Sequence, residues 1–260
     1  MKKKAGKGPA TEAKEQYVRT RNLFDPGSKE PYKLSRSGIE SFINCPRCFF
    51  LDRRLGIGQP SGFPLTLNNA VDALMKKEFD IYRESKTAHP LMKEYGVDAI
   101  PFAHQDIDIW RNTRQGIRYL HKKTNFEIMG AVDDVWVKPG GNLIIVDYKA
   151  TSTSGEITMD DEWKEGYKRQ MEIYQWLFRQ NGFKVDDTGY FVFANALKDR
   201  EAFNKKLEFE TTIIPYKGDD SWVEKAIIDV RKCLASNKIP SPAKDCDYCR
   251  YRKEAKSVSE

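Results

Sequence analysis

Residues 130–149 read GAVDDVWVKPGGNLIIVDYK, and the fold turns on how this stretch divides. Two apolar runs, one holding Ala131, Val132, Val135, Trp136 and Val137 and the other Leu143-Ile144-Ile145-Val146, flank Pro139-Gly140-Gly141-Asn142. Short β-favouring runs separated by proline and small turn formers predict a hairpin. Asp133 lies in the first run, and Asp147 and Lys149 close the second. Strand residues two apart share a face, so Asp147 and Lys149 point together and the hairpin can bring Asp133 across to them. Two carboxylates and an amine on one patch can hold a divalent cation and activate a water beside a phosphate. An aspartate at a strand end is more often a turn former, and a lone D-x-K is common by chance. Here it directly follows four apolar, β-favouring residues, the mark of a buried central strand, where a charge needs partners or a metal.

The chain has 260 residues, enough for one domain with an appendage and a sizeable core. Charged residues make up 32% and hydrophobic ones 40%, which describes a globular protein with a highly charged surface. The formal net charge of +6, from 44 basic and 38 acidic residues, permits polyanion binding without demanding it. No apolar run approaches the ~18 residues of a membrane helix. The basic start MKKKAGKGPA lacks the apolar centre of a signal peptide. The expectation is a soluble cytoplasmic protein with no membrane partner. Of the five cysteines, Cys45 and Cys48 form one C-x-x-C pair and Cys246 and Cys249 another. In an intracellular chain that spacing points to metal rather than disulfides. Cys233, on a helical stretch, reads as a small core residue.

Taken in order, residues 1–33 are expected to form a disordered or loosely attached basic arm, 34–253 a single domain, and 254–260 a tail. Ser35 or Ser37 can cap a helix carrying Ile39, Phe42 and Ile43 into the first cysteine pair. A Gly/Pro-rich loop covers 57–66. A helix over 67–85 follows, burying Leu67, Val71, Leu74, Met75, Phe79 and Tyr82 and carrying Asp72 among them. His89-Pro90 starts a short helix, and another with Trp110, Ile117 and Leu120 is expected over 108–122. Past the hairpin, a long helix over 163–180 places Gln170 and Tyr174 on one face. Strands over 187–196 (central) and 207–214 (half-exposed) precede a helix over 222–236 and a compact cysteine knuckle. No internal repeat is visible, and no G-x-x-x-x-G-K-[ST] phosphate loop.

This succession of cysteine-bearing helix, long helix, strand with Asp, strand with D-x-K, helix with Q-x-x-x-Y, and cysteines again resembles the PD-(D/E)XK nuclease superfamily. Within it, the chain is similar to the RecB-like branch over roughly residues 34–252, notably to CRISPR-associated RecB-like exonucleases with four cysteines and to AddB-type nuclease domains. The resemblance implies an α/β, restriction-endonuclease-like core: a central mixed β-sheet flanked by helices, with a cysteine-clasped appendage joining the two ends. Gly130 and Asp133 match the family's G-x-x-D, whose Asp binds metal. Asp147 and Lys149 match D-x-K, giving a second ligand and the catalytic lysine, with the Tyr148 carbonyl also touching metal. Gln170 and Tyr174 match Q-x-x-x-Y, which helps to hold the substrate strand and the site. Ser37 through Cys45-Pro46 is similar to the family's entry motif. Together these imply a Mg²⁺- or Mn²⁺-dependent deoxyribonuclease acting on DNA, most simply single-stranded, in repair, recombination or CRISPR adaptation, with a helicase supplied by a partner.

Two departures stand out. The branch places a metal-binding His in the early helix; here Asp72 occupies that place, and Glu78, further along, is expected to face solvent. Iron-sulfur members set one cysteine early and three late, whereas this chain has two and two. Four thiolates at Cys45, Cys48, Cys246 and Cys249 can hold a [4Fe–4S] cluster, which the family likeness favours, or a tetrahedral zinc. Either clasps the chain ends around the core. Arg53, Arg54, Lys168 and Arg169 are candidates for backbone-phosphate contacts, although such clusters are more often a solvated face. The rival readings are a weakly active or inactive nucleic-acid binder that keeps the fold, and a metal-stapled scaffold within a larger complex.

Overall fold

The computed structural model describes residues 19–60, 62 and 65–258. In chain order the elements are β1 (Tyr32–Ser35), α1 (Arg36–Asn44), α2 (Pro46–Leu55), α3 (Thr66–Ser85), α4 (Pro90–Glu94), β2 (Ile100–Pro101), α5 (Ile107–Arg111), β3 (Ile117–His121), β4 (Phe126–Gly130) and β5 (Asp134–Val137). There follow β6 (Leu143–Thr151), a 3-10 turn at Glu162–Lys164, α6 (Glu165–Gln180), β7 (Thr188–Ala196), β8 (Phe209–Lys217), α7 (Val223–Ala235) and α8 (Asp247–Ser257). None of the described helices is long and apolar enough to cross a membrane.

The hairpin forms as its residues dictate. Val135 pairs with Ile145 and Val137 with Leu143 in an antiparallel ladder. The turn places Gly140 at φ 96 and Gly141 at φ 89, a region that side chains with a Cβ rarely enter. β6 is the centre of a five-stranded mixed sheet ordered β2-β5-β6-β7-β8, parallel to β7 and antiparallel to β5. Its alternate residues serve two cores. Leu143 and Ile145 pack among Met171, Ile173, Phe191 and Ile227 on one face. Ile144, Val146 and Tyr148 pack with Met75, Phe79, Met92 and Trp136 on the other. Burial on both faces is why Leu143-Ile144-Ile145-Val146 is apolar without alternation.

A second sheet, ordered β1-β4-β3, stands beside the first. Its strand β4 leads through residues 131–133 directly into β5, so Asp133 lies in the bend between the two sheets rather than inside a strand. The helix expected over 108–122 is replaced by one turn of helix, α5, and the strand β3. Gly116 sits between them at φ 61, and a Cβ there would lie 2.3 Å from the Gly130 carbonyl oxygen. That left-handed turn ends the helical run, and the β-favouring Ile117-Arg118-Tyr119-Leu120-His121 then pairs with β4.

Three further expectations change. Of the arm read over 1–33, residues 1–18 lie outside the described residues, while 19–33 pack onto the body. Phe24 is buried edge-on against Tyr32 and Phe126, and its amide donates to the Arg53 carbonyl oxygen at 2.8 Å. On α3, Leu67 and Leu74 are exposed, because only the face through Met75, Phe79 and Arg83 meets the sheet. The C-terminal knuckle extends into α8, which reaches through the start of the expected tail.

Candidate active site

The site lies where the C-terminal end of β6 emerges between α3 and α6. Asp147 and Lys149 share the α6 face of the strand, as alternation requires, and the lysine ammonium rests against Asp147 Oδ2. From α6, Gln170 Nε2 donates to Asp147 Oδ1 at 2.5 Å. The Asp147 carboxyl is fully buried, and burial, with Asp133 close by, pushes its pKa up to about 6 against the pull of Lys149.

Asp133 reaches the same point from the inter-sheet bend. The antiparallel ladder ends at Asp134 and Val146, and the next free amide of β6, that of Tyr148, donates to Asp133 Oδ2 at 3.0 Å. The bend is held from α5, where the Trp110 carbonyl oxygen accepts from Val132 N at 3.1 Å and Arg111 Nε donates to the Asp133 carbonyl oxygen at 3.1 Å. Gly130 opens the bend, and a Cβ there would lie 2.5 Å from Tyr174 Cε1. The tyrosine ring therefore lies directly under the glycine, and burial raises its hydroxyl pKa to about 12. Both Gln170 and Tyr174 sit below the cleft floor, with Gln170 on a carboxylate and Tyr174 packed in the core.

Asp72 faces the site from α3, across the strand from α6. Its neighbour one helical turn on, Lys76, donates to Asp72 Oδ2 at 2.8 Å and to Asp133 Oδ1 at 3.2 Å. Burial and the Asp133 charge raise the Asp72 pKa, which Lys76 offsets only in part. Lys76 is itself partly desolvated, yet the two carboxylates hold its ammonium above the usual lysine range. Glu78, off this face, is mostly exposed and meets His89 Nε2 at 2.9 Å.

Asp72, Lys76, Asp133 and Lys149 line a cleft of about 370 Å³ that also includes Leu65, Asn68, Arg111, Thr113, Tyr148 and Tyr167, while Asp147 lies buried behind it. The Lys149 ammonium lies 4.6 Å from the centre of the Tyr167 ring. Trp163 stands edge-on to Tyr167 at 5.6 Å and is 63% exposed. The four basic residues singled out as phosphate contacts are engaged elsewhere. Arg53 meets Asp52, Arg54 donates to the Phe24 carbonyl oxygen, Lys168 meets Glu165, and Arg169 meets Glu40.

Beneath the cleft lies a buried anchor that the motif reading passed over. Asp134, with no exposure, accepts from Arg83 Nη2 (2.5 Å), Arg111 Nη2 (2.9 Å), the Val135 amide (2.8 Å), Trp136 Nε1 (3.3 Å) and the Tyr148 hydroxyl (2.7 Å). Asp80 takes both remaining guanidinium edges, and Arg83 and Arg111 hold its carboxyl below the usual range despite desolvation. The sequence signals for these residues are local ones on α3, the i+4 spacing of Lys76 from Asp72 and the i+3 spacing of Arg83 from Asp80.

The donor set suits a hard cation. Asp72 Oδ1 is buried without a hydrogen-bond partner and Asp147 Oδ2 meets only the Lys149 ammonium, and desolvated carboxylate oxygens of this kind can serve as ligands for a divalent cation. Elsewhere in the described residues, the four paired cysteines bring their sulfurs within 4.8 Å of one another. Cys48 Sγ lies 3.6 Å from Cys246 Sγ and 3.5 Å from Cys249 Sγ, and Cys45 Sγ lies 3.9 Å from Cys249 Sγ. Cys233 stands apart on α7, half-buried against the core, its thiol pushed up to about 11 by burial.

Residues 33–253 match the PD-(D/E)XK nuclease superfamily. No curated protein matches the chain. A solved structure described as the crystal structure of SSO0001 aligns over 87% of this chain and 86% of that one, at 14% identity and a TM-score of 0.36.

Proposed function

The chain belongs to the PD-(D/E)XK nuclease superfamily, and from that membership we propose that it hydrolyses DNA phosphodiester bonds at the cleft between α3 and α6. The observation that carries this reading is the meeting of Asp133, Asp147 and Lys149 at the end of β6, with Asp72 facing them from α3. Asp133, Asp147, Asp72 and the Tyr148 carbonyl would hold Mg²⁺ or Mn²⁺. When bound, such an ion polarises the scissile phosphate and lowers the pKa of a water.

The chain's own groups supply the rest. Lys149, steadied on the face of Tyr167, positions or deprotonates the attacking water and offsets charge developing on phosphorus. Gln170 fixes the rotamer of Asp147 through the amide it donates, and Arg111 fixes the backbone of Asp133. Tyr167 and the exposed Trp163 offer rings on which the bases of a single strand can stack. The sequence likeness supports the RecB-like branch and a place in repair, recombination or CRISPR adaptation beside a helicase.

The test is cleavage of end-labelled single-stranded DNA with Mn²⁺ by the wild-type chain, Asp147→Ala and Lys149→Ala. Loss in both variants supports the assignment; equal cleavage by wild type and variants refutes it. One observation favours a second reading, a weakly active or inactive nucleic-acid-binding subunit: the Lys76 ammonium bridges Asp72 and Asp133, where a cation would otherwise draw them together. Tight DNA binding without cleavage by the wild type would select that reading.

A further inference from the structure

We infer that Cys45, Cys48, Cys246 and Cys249 hold a single tetrahedral zinc ion and not a four-iron cluster, and that this ion is what fastens α8 to the body of the protein. The first argument is size. Zinc–thiolate bonds of about 2.3 Å in tetrahedral geometry place the sulfurs about 3.8 Å apart. The three Sγ–Sγ separations of 3.5, 3.6 and 3.9 Å lie around that edge, and all four sulfurs fall within 4.8 Å of one another. A cubane binds each cysteine through a different iron, so its eight core atoms must fit inside the sulfur cage. Sulfurs this close leave room for one ion. They are also far too widely spaced for disulfides, whose sulfurs bond at about 2.05 Å.

The second argument is the symmetry of the two knuckles. Cys45 is the N-cap of α2 and Cys48 lies in its first turn, with Pro46 opening the helix; Cys246 is the N-cap of α8 and Cys249 lies in its first turn. Both pairs thus sit at a helix N-terminus, where the helix dipole favours negative charge on sulfur. Cys45 Sγ also accepts the Ala243 amide at 3.4 Å, which orients the sulfur as outer hydrogen bonds orient metal ligands. Four neighbouring thiolates without a cation would repel one another; one divalent ion removes that conflict.

The third argument is what the C-terminal segment lacks. No residue of α8 is buried, so hydrophobic burial does not anchor it. By contrast Cys45 and Cys48 are buried in the junction of α1 and α2, against the core that carries Phe49. A metal shared between the pairs ties this helix, which has no buried residue, to the α1–α2 junction across about two hundred residues of sequence.

The test uses the full chain purified without air from cells supplied with both iron and zinc, followed by challenge of the metal-free protein with Fe²⁺ and sulfide in excess over Zn²⁺. The expected result is one zinc per chain, no acid-labile sulfide and no brown colour. Limited trypsin digestion should then release the segment after Lys238 from the chelated protein faster than from the zinc form, by tenfold or more, while the core fragment survives. A brown protein with iron and sulfide in near-equal amounts, or a chain that binds no metal, would overturn the assignment. Unchanged proteolysis on zinc removal would overturn the fastening role. Cys249→Ser should lose zinc and show the same susceptibility. If that variant does not fold, the visible bands of Co²⁺ bound to the wild-type chain report tetrahedral thiolate coordination instead. None of these readouts depends on nuclease activity.

Discussion

Replacing Asp134 with alanine should destabilise the protein far more than replacing Asp72 or Asp133, because Asp134 is the fully buried one of the two carboxylates on which the Arg83 and Arg111 guanidiniums converge. Arg83 and Arg111 have side-chain exposures of only 7% and 8%, and both point Nη2 at Asp134 Oδ1. Removing one partner of a buried ion pair costs about 3–5 kcal/mol, since the other charge stays desolvated. Here the guanidiniums keep Asp80 and the Phe102 and Asp133 carbonyls, so the lower end, about 3 kcal/mol, applies. For a domain of this size that corresponds to a midpoint lowered by about 6–12 °C. Urea and thermal unfolding followed by circular dichroism would measure it. Asp134→Leu combined with Arg83→Met and Arg111→Met should recover much of the loss, because it removes the stranded charges together with their partner. A loss below about 1 kcal/mol for Asp134→Ala would refute the view that this network holds the bend. The functional corollary is that DNA cleavage falls at temperatures where the variant is still folded, because Arg111, deprived of Asp134, holds the Asp133 backbone less firmly.

Three further outcomes are expected. Lys76→Met removes the ammonium that bridges Asp72 and Asp133, and should tighten Mn²⁺ binding roughly tenfold, about 1.4 kcal/mol, in calorimetric titration; unchanged or weaker binding would sink the competition argument. Burial raises the Asp147 pKa to about 6, and metal takes the ionised form, so Mn²⁺ binding should strengthen as pH rises through about 6 and release protons below it. In the metal-free protein the sign is the reverse for stability: the Asp147 contribution is present at low pH and fades as pH rises through the same window, from above the unfolded value near 4. Calorimetry in two buffers of different ionisation enthalpy and pH-dependent unfolding would detect both, and pH-independent affinity would contradict the shift. Trp163→Ala, on an exposed ring, should leave stability within about 0.5 kcal/mol. It should weaken binding of single-stranded oligonucleotide by about 1–3 kcal/mol, a loss absent for an abasic oligonucleotide; equal loss with both would exclude stacking.

What could be read from the linear chain was what depends on short-range rules. The Pro139-Gly140-Gly141-Asn142 turn, the two-residue period linking Asp147 to Lys149, the capped helix leading to Cys45 and the shared face of Gln170 and Tyr174 all follow from local spacing. The helix expected over 108–122 failed because its apolar spacing suits either element. Gly116, wedged against Gly130, decided the matter through a contact fourteen positions away. Among the basic residues near the motifs, Lys168 sits at helical spacing from Glu165, but nothing local marked Glu40, 129 positions away, as the partner of Arg169. On α3, Leu67 and Leu74 matched the helical period of Met75 and Phe79 but missed the arc that meets the sheet.

The sequence by itself determined where the central strand lies and that Asp147 and Lys149 share one of its faces, because a continuous apolar run and a two-residue period are local patterns. The tertiary structure alone decided the environment of each group. Lys76 lies against Asp133, Asp134 gathers two arginines from α3 and α5, and four sulfurs from the two ends of the chain close to the spacing of one ion. Charge, desolvation and coordination depend on distances through space, and those distances exist only once both sheets and the helices around them have packed.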